Sequence, residues 1–181
     1  METETLATVG GIAVLLILSG AFSGSETALT AASRPRMHLL QKRGHKRAGI
    51  VTKLFSQREK LIGAILLGNN LVNILASALA TSLMIGIFGE TGVIYATAAM
   101  TILVLIFGEV MPKTYAFHNA DRVALLIAPT FRYVVAFLSP ITHTINLLIN
   151  VTLRPFGIKF DTEEEYTAAQ ETLRGAIDLH I

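Results

Sequence analysis

Long apolar runs alternate with short polar blocks along the chain. Three runs are long enough to cross a membrane: about Leu6 to Ala32, Leu61 to Phe88 and Val93 to Phe117. About 20 residues suffice for a hydrocarbon core of roughly 30 Å, so each can span with some tilt. The runs are rich in Leu, Ile, Ala and Gly. A span must satisfy its backbone internally, so each is expected to be a helix. A fourth stretch, Val123 to Leu153, is interrupted by Pro129 and Pro140 and carries Arg132, His143, Asn146 and Asn150. It predicts a broken pair of short helices, re-entrant or juxtamembrane, that enters and leaves on one side. The alternative is a plain kinked fourth span, which would carry Arg154, Lys159 and an acidic tail across the membrane. The expected class is all-α integral membrane.

The polar blocks orient these runs. Nine of the 15 Lys and Arg lie between Arg34 and Lys60, whereas the first ten residues and the Gly89-Glu90-Thr91-Gly92 turn have none. Positive charge stays inside, so the N-terminus and the 89–92 turn are expected outside and 33–60 in the cytoplasm of a cell-membrane protein. The 34–60 block reads as one or two basic juxtamembrane helices at anionic headgroups. A secretory signal is rejected for the first run, because its head holds Glu2 and Glu4, no Lys or Arg, and the run is too long. Composition changes at Asp161, where Asp161-Thr162-Glu163-Glu164-Glu165 has the cap and acidic first turn of a helix start. Residues 1–160 are therefore expected to form the membrane domain and 161–181 the start of a cytoplasmic acidic helical bundle. The sequence stops at Ile181 without a second domain, so a truncated chain is expected.

Composition narrows the class. Hydrophobic residues make up 52% and charged residues 15%, against about 25% charged in a soluble domain. There is no cysteine, which excludes disulfides, thiolate metal sites and a thiol nucleophile. The sequence pI is about 9.0. The basic residues sit between two membrane-length runs, so lipid rather than nucleic acid is the expected partner.

Polar side chains inside spans are costly and mark function. The first run holds Ser19, Ser23, Ser25 and Glu26; the second holds Asn69, Asn70, Asn73 and Ser77; the third holds Glu109, followed by Pro112. Ser19 and Ser23 share a helix face, as do Asn69, Asn73 and Ser77. At 1.5 Å per residue, Ser23, Asn69 and Glu109 all lie roughly 12–14 Å from the cytoplasmic edge. Hydroxyl, amide and carboxylate oxygens thus gather at one depth. Gly20, Gly24, Gly68 and Gly108 allow close backbone approach, and Pro112 is expected to kink its helix and free the Gly108 carbonyl. Such oxygens suit Mg²⁺, Ca²⁺, Mn²⁺ or an alkali ion rather than a soft metal. Taken singly, serines and asparagines in spans more often pack or join helices, and Gly20/Gly24 is a common packing pattern. Glu26 would pair with basic loop residues. Gly24-Ser25-Glu26 suggests a membrane serine nucleophile, but no His or Lys base lies at that depth, so no enzyme is expected.

Three motifs carry a resemblance. Leu18-Ser19-Gly20-Ala21-Phe22-Ser23-Gly24, Leu67-Gly68-Asn69-Asn70-Leu71-Val72-Asn73 and Ile106-Phe107-Gly108-Glu109-Val110-Met111-Pro112-Lys113 follow in order on three spans. Together they resemble the transmembrane domain of the CorC/CorB magnesium transporters, relatives of the animal cyclin-M (CNNM) proteins. The resemblance covers about residues 5–180. It implies a homodimer of three-span protomers with a belt of juxtamembrane helices, matched here by 123–153. It also implies an acidic bundle followed by regulatory CBS modules that bind ATP; these modules lie outside this chain. The implied Mg²⁺ ligands are Ser19, Ser23, Asn69, Asn70, Asn73 and Glu109, with backbone oxygens of the motifs, including the Gly68 region. Only one of Asn69 and Asn70 can fully share the Asn73 face. The expected activity is Mg²⁺ export by alternating access, with coupling to Na⁺ implied by the family alone. The rivals are a Mg²⁺-sensing scaffold without transport and a passive divalent channel.

Overall fold

A computed structural model describes residues 2–153, of which 143, 146, 149–151 and 153 are described in the backbone alone. Two compact units divide at Thr142/His143, and the candidate site lies wholly in the first. The expected acidic helix at 161–181 lies outside the described residues.

Among the described residues every regular element is a helix. The elements are α1 (Glu2–Ala31), α2 (Arg34–Lys42), α3 (Lys46–Ser56), α4 (Arg58–Phe88), α5 (Gly92–Leu103), a π-helical turn (Val104–Val110), α6 (Met111–His118) and α7 (Ala120–Leu153). Stretches long and apolar enough to cross a membrane are Glu2–Ala31, Arg58–His118 and Ala120–Thr142. The second of these is two passes long. It reverses through a 3₁₀ turn at Gly89–Thr91, and Thr81 of α4 then faces the same groove as Thr97 of α5, while Asn73 shares it with Glu109. Gly89, at φ +66°, supplies the left-handed backbone that ends α4. The expected spans therefore appear as α1, α4 and the continuous α5–π–α6 rod.

The basic block folds into two helices, α2 and α3. Ser33 caps α2, its hydroxyl accepting from the Arg36 N–H at 3.4 Å. Gly44, at φ +86°, allows the chain to turn into α3.

α7 differs from expectation in one respect: it is a single helix, with Pro129 and Pro140 inside it. A proline removes one backbone bond and strains the preceding turn. Here a continuous buried stripe holds the helix: Ala124, Ala128, Phe131, Val135 and Leu138 recur every three or four residues. That stripe belongs to one apolar cluster with Met37 of α2, Val51 and Leu54 of α3, and Ala28, Leu29, Leu61, Ala64 and Ile65 of α1 and α4. The ends of the stripe reveal its direction. Asp121 accepts from the Ser33 N–H at 2.8 Å and from Arg36 Nη1 at 2.9 Å, at the end of α1. Thr142 packs on Gly63, near the start of α4. Both anchors lie at the basic end of the bundle, where Leu29 and Thr30 of α1 meet Arg58 and Leu61 of α4. About 30 Å of helix separates Asp121 from Thr142. The 121–142 stretch of α7 therefore lies across the basic end of the bundle rather than along it.

Candidate metal centre

The three motif segments converge in mid-bundle. Ser19 is fully buried, and its Oγ donates to Asn69 Oδ1 at 3.2 Å, joining α1 to α4. A Cβ added at Gly108 would stand 2.7 Å from Ser19 Oγ, so the rod beside Glu109 presses directly on the serine. Gly20 is equally close: its Cβ would lie 3.0 Å from both the Phe107 carbonyl and Pro112 Cγ. Gly24 meets the Pro112 carbonyl at 3.4 Å. The glycine pair thus seats α1 against the segment that carries the carboxylate.

That segment is not an ordinary α-helix. Pro112 lacks an N–H, and the turn before it widens into a π-helix over Val104–Val110. The Met111 N–H donates to the Ile106 carbonyl, five residues back. In this register Pro112, which has no N–H, falls opposite the Phe107 carbonyl. The carbonyl is the one that lies against Gly20. Single π turns recur at functional sites, because the extra residue re-aims a side chain. Glu109 is inside this one, half-buried.

Two polar atoms stand out energetically. Among the described residues, Ser23 Oγ and Asn73 Oδ1 are buried without a hydrogen-bond partner. Ser23 itself is 0% exposed. Leaving such atoms unpaired costs about 1–3 kcal/mol each. They are oxygens, and they belong to the same helix faces as Ser19 and Asn69. Asn73 also lines the groove that Glu109 lines. Among the described residues no three His, Cys, Asp or Glu side chains gather. The candidate site is therefore a single carboxylate, Glu109, with neutral oxygens.

The other sequence candidates fall in different places. Asn70 is exposed on the outer side of α4, off the face that Asn69 presents to Ser19. Gly68 is buried, and the space of its missing side chain is filled by the Phe22 ring, which stacks edge-on against Phe131 at 5.6 Å. A side chain at this position would strike that ring. Ser25 is turned away, its hydroxyl donating to the Ala21 carbonyl. Glu26 pairs with Lys113 at 3.7 Å rather than with a residue of the basic loop.

Sequence reasoning passed over three threonines. A groove of about 390 Å³ between α4 and the α5 rod is lined by Asn73 and Glu109 and also by Ser77, Thr81, Thr97 and Thr101. The signal was present: Thr81 continues the four-residue spacing of Asn69, Asn73 and Ser77.

A family model described as the cyclin M transmembrane N-terminal domain matches residues 11–181. The chain belongs to that family. A UPF0053 inner membrane protein of Escherichia coli, YfjD, is 38% identical to this cyclin M domain over 161 residues, 87% of this chain and 37% of that protein. A UPF0053 protein of Haemophilus influenzae is 33% identical over 172 residues, 94% of this chain and 41% of its own length. A chloroplastic DUF21 domain-containing protein of Arabidopsis thaliana is 34% identical over 168 residues, 91% of this chain and 25% of its own length. The chain thus spans between a quarter and about two fifths of these relatives. The apolar helices and the inner-membrane relative agree: the cyclin M domain is a membrane protein.

Proposed function

We propose that this cyclin M domain binds Mg²⁺ among Ser19, Ser23, Asn69, Asn73 and Glu109 and moves it across the membrane. The observation that carries the reading is the pair of buried, unpaired oxygens, Ser23 Oγ and Asn73 Oδ1, on the helix faces that also hold the Ser19–Asn69 bond. Mg²⁺ prefers hard oxygen ligands, needs few carboxylates and keeps several waters. One carboxylate with neutral oxygens and a groove that admits water suits those demands better than a dry cage would. Na⁺, whose coupling the family implies, is the candidate counter-ion.

The topology follows the charge. The basic helices α2 and α3 lie at the cytoplasmic face with α7 beside them, and the N-terminus and the Gly89–Thr91 reversal lie outside. The sideways course of α7 supports a juxtamembrane belt. The protein acts as a homodimer in the cell membrane: Asn70, exposed on a single protomer at mid-span, is a polar group that hydrocarbon alone would not tolerate.

The test is Mg²⁺ flux in dye-loaded proteoliposomes, comparing wild type with Glu109→Ala and Ser23→Ala, with and without a Na⁺ gradient. Flux that requires both residues is expected. Wild-type flux in both variants would overturn the site. Glu109-dependent binding without flux under any gradient would turn the reading into a Mg²⁺-sensing scaffold, and current without a counter-ion would turn it into a passive channel.

A further inference from the structure

The groove between α4 and α5 is larger than the cage needs. Beyond Asn73 and Glu109 it continues toward the Gly89–Thr91 reversal, lined by Ser77 and Thr81 on one side and Thr97 and Thr101 on the other. At 1.5 Å per helical residue, Thr97, Thr81, Thr101 and Ser77 lie at depths of roughly 8, 10, 14 and 16 Å below the reversal. The two helices contribute alternately. An oxygen therefore recurs about every 3 Å along the groove, and Asn73 follows at roughly 22 Å.

The chemistry of these hydroxyls is directional. Thr81 donates its proton to the Ser77 carbonyl at 2.8 Å, Thr97 to the Val93 carbonyl at 2.8 Å and Thr101 to the Thr97 carbonyl at 2.7 Å. A hydroxyl that has given its proton to its own helix has only lone pairs left to offer. The three threonines therefore present acceptors, which suit a cation and its water shell better than an anion. Size agrees. At about 30 Å³ per water, the groove holds on the order of ten waters, enough for one ion with an octahedral shell. Polar surface at this depth is normally kept for the bundle interior or a water-filled cavity.

We propose that this groove is the outer half of the ion's path: a wet, hydroxyl-lined track that passes a hydrated divalent cation between the Asn73/Glu109 level and the Gly89–Thr91 end. The proposal rests on the Mg²⁺ reading above and adds a route and a second, weaker binding zone to it. Waters on the ion would exchange partners along the ladder, while direct coordination is reserved for the cage.

The absence of cysteine makes the test clean. Single variants Thr97→Cys, Thr81→Cys, Thr101→Cys and Ser77→Cys in the full chain are reconstituted in liposomes. A positively charged, membrane-impermeant methanethiosulfonate is present on both sides. Leu79→Cys and Ile102→Cys, exposed outside the groove at depths of roughly 14 and 15 Å, close to those of Thr101 and Ser77, are the controls. The groove positions are expected to react at least tenfold faster than the controls. Rates should fall in the order Thr97, Thr81, Thr101, Ser77, and millimolar Mg²⁺ should slow Ser77→Cys and Thr101→Cys severalfold. Serine-to-cysteine and threonine-to-cysteine changes nearly preserve volume, and a monodisperse elution profile confirms each fold. Groove thiols that react no faster than Ile102→Cys, with and without Mg²⁺, would overturn the route and indicate a dry seam closed by lipid or a second copy. Mg²⁺ binding to wild type and Glu109→Ala, measured on the same preparations, separates the two readings. Glu109-dependent binding with an unreactive groove sinks the route alone. Binding indifferent to Glu109 sinks the cage, whatever the thiols do.

Discussion

Gly108→Ala adds one methyl group at the tightest point of the site. Its carbon would stand 2.7 Å from Ser19 Oγ, about 0.7 Å short of the 3.4 Å at which ordinary contact begins. The Ser19 Cβ is already at 3.5 Å and need not move. The hydroxyl alone must yield, by rotating about χ1, and this carries Oγ away from Asn69 Oδ1, its acceptor at 3.2 Å. Ser19 is fully buried, so no water replaces the bond. The expected loss of stability is about 1–3 kcal/mol. Mg²⁺ affinity should fall with it, by about 5- to 150-fold if the same free energy is lost from binding. The assay is a double-mutant cycle with Ser19→Ala, read by thermal unfolding in detergent and by Mg²⁺ titration. In the Ser19→Ala background the methyl group has room. Alanine's helix preference over glycine, about 1 kcal/mol, should then make Gly108→Ala neutral or stabilising. A Gly108→Ala cost that is unchanged in the Ser19→Ala background would refute the reasoning, because the strain would not run through the hydroxyl.

Ser23→Ala removes a buried, unpaired oxygen; without Mg²⁺ it should raise stability by about 1 kcal/mol, and it should abolish most of the stabilisation that Mg²⁺ confers. A destabilised metal-free variant in a melting experiment would count against the orphan assignment. Asn73→Ala should cost at least tenfold in Mg²⁺ affinity, while the exposed Asn70→Ala changes it less than threefold; equal losses in a titration would show that the face of α4 has been misassigned. Asp121→Ala should lower stability by about 1–2 kcal/mol, and Asp121→Asn by less, because Asn keeps an acceptor for the Ser33 N–H. Arg36→Ala should cost under about 1 kcal/mol, since its side chain is 67% exposed; a larger cost than Asp121→Ala in chemical unfolding would make the ion pair, rather than the backbone bond, the clamp.

The spans were legible because their signal is compositional. A run of more than 20 apolar residues has few alternatives to a membrane helix. Ser19, Ser23, Asn69, Asn73 and Glu109 stood out as candidates for a related reason: a polar group in such a run is costly, and helical spacing says which of them share a face. Phase alone could not separate Asn69 from Asn70. Which of the two faces α1 depended on the packing of α4, and the Ser19–Asn69 bond shows that it is Asn69. That Phe22 fills the space beside Gly68 was visible only in the packing.

What the sequence by itself determined is therefore the inventory: membrane helices, a basic end, and polar oxygens within the spans. Each follows from local rules, since burial cost, charge and helical period act within one segment. Tertiary structure alone decided the rest. Pro112 announced a disturbance, but its form as a π turn and the register that brings the Phe107 carbonyl to Gly20 are seen only with α1 packed against it. The prolines of α7 predicted a break, but a continuous buried stripe against α1 to α4 held the helix whole. The hydroxyl ladder was equally hidden, because threonines that bond to their own helix are ordinary until an antiparallel neighbour sets another row opposite them. In each case the deciding free energy belongs to a contact between segments far apart in the chain, and no reading of one segment contains it.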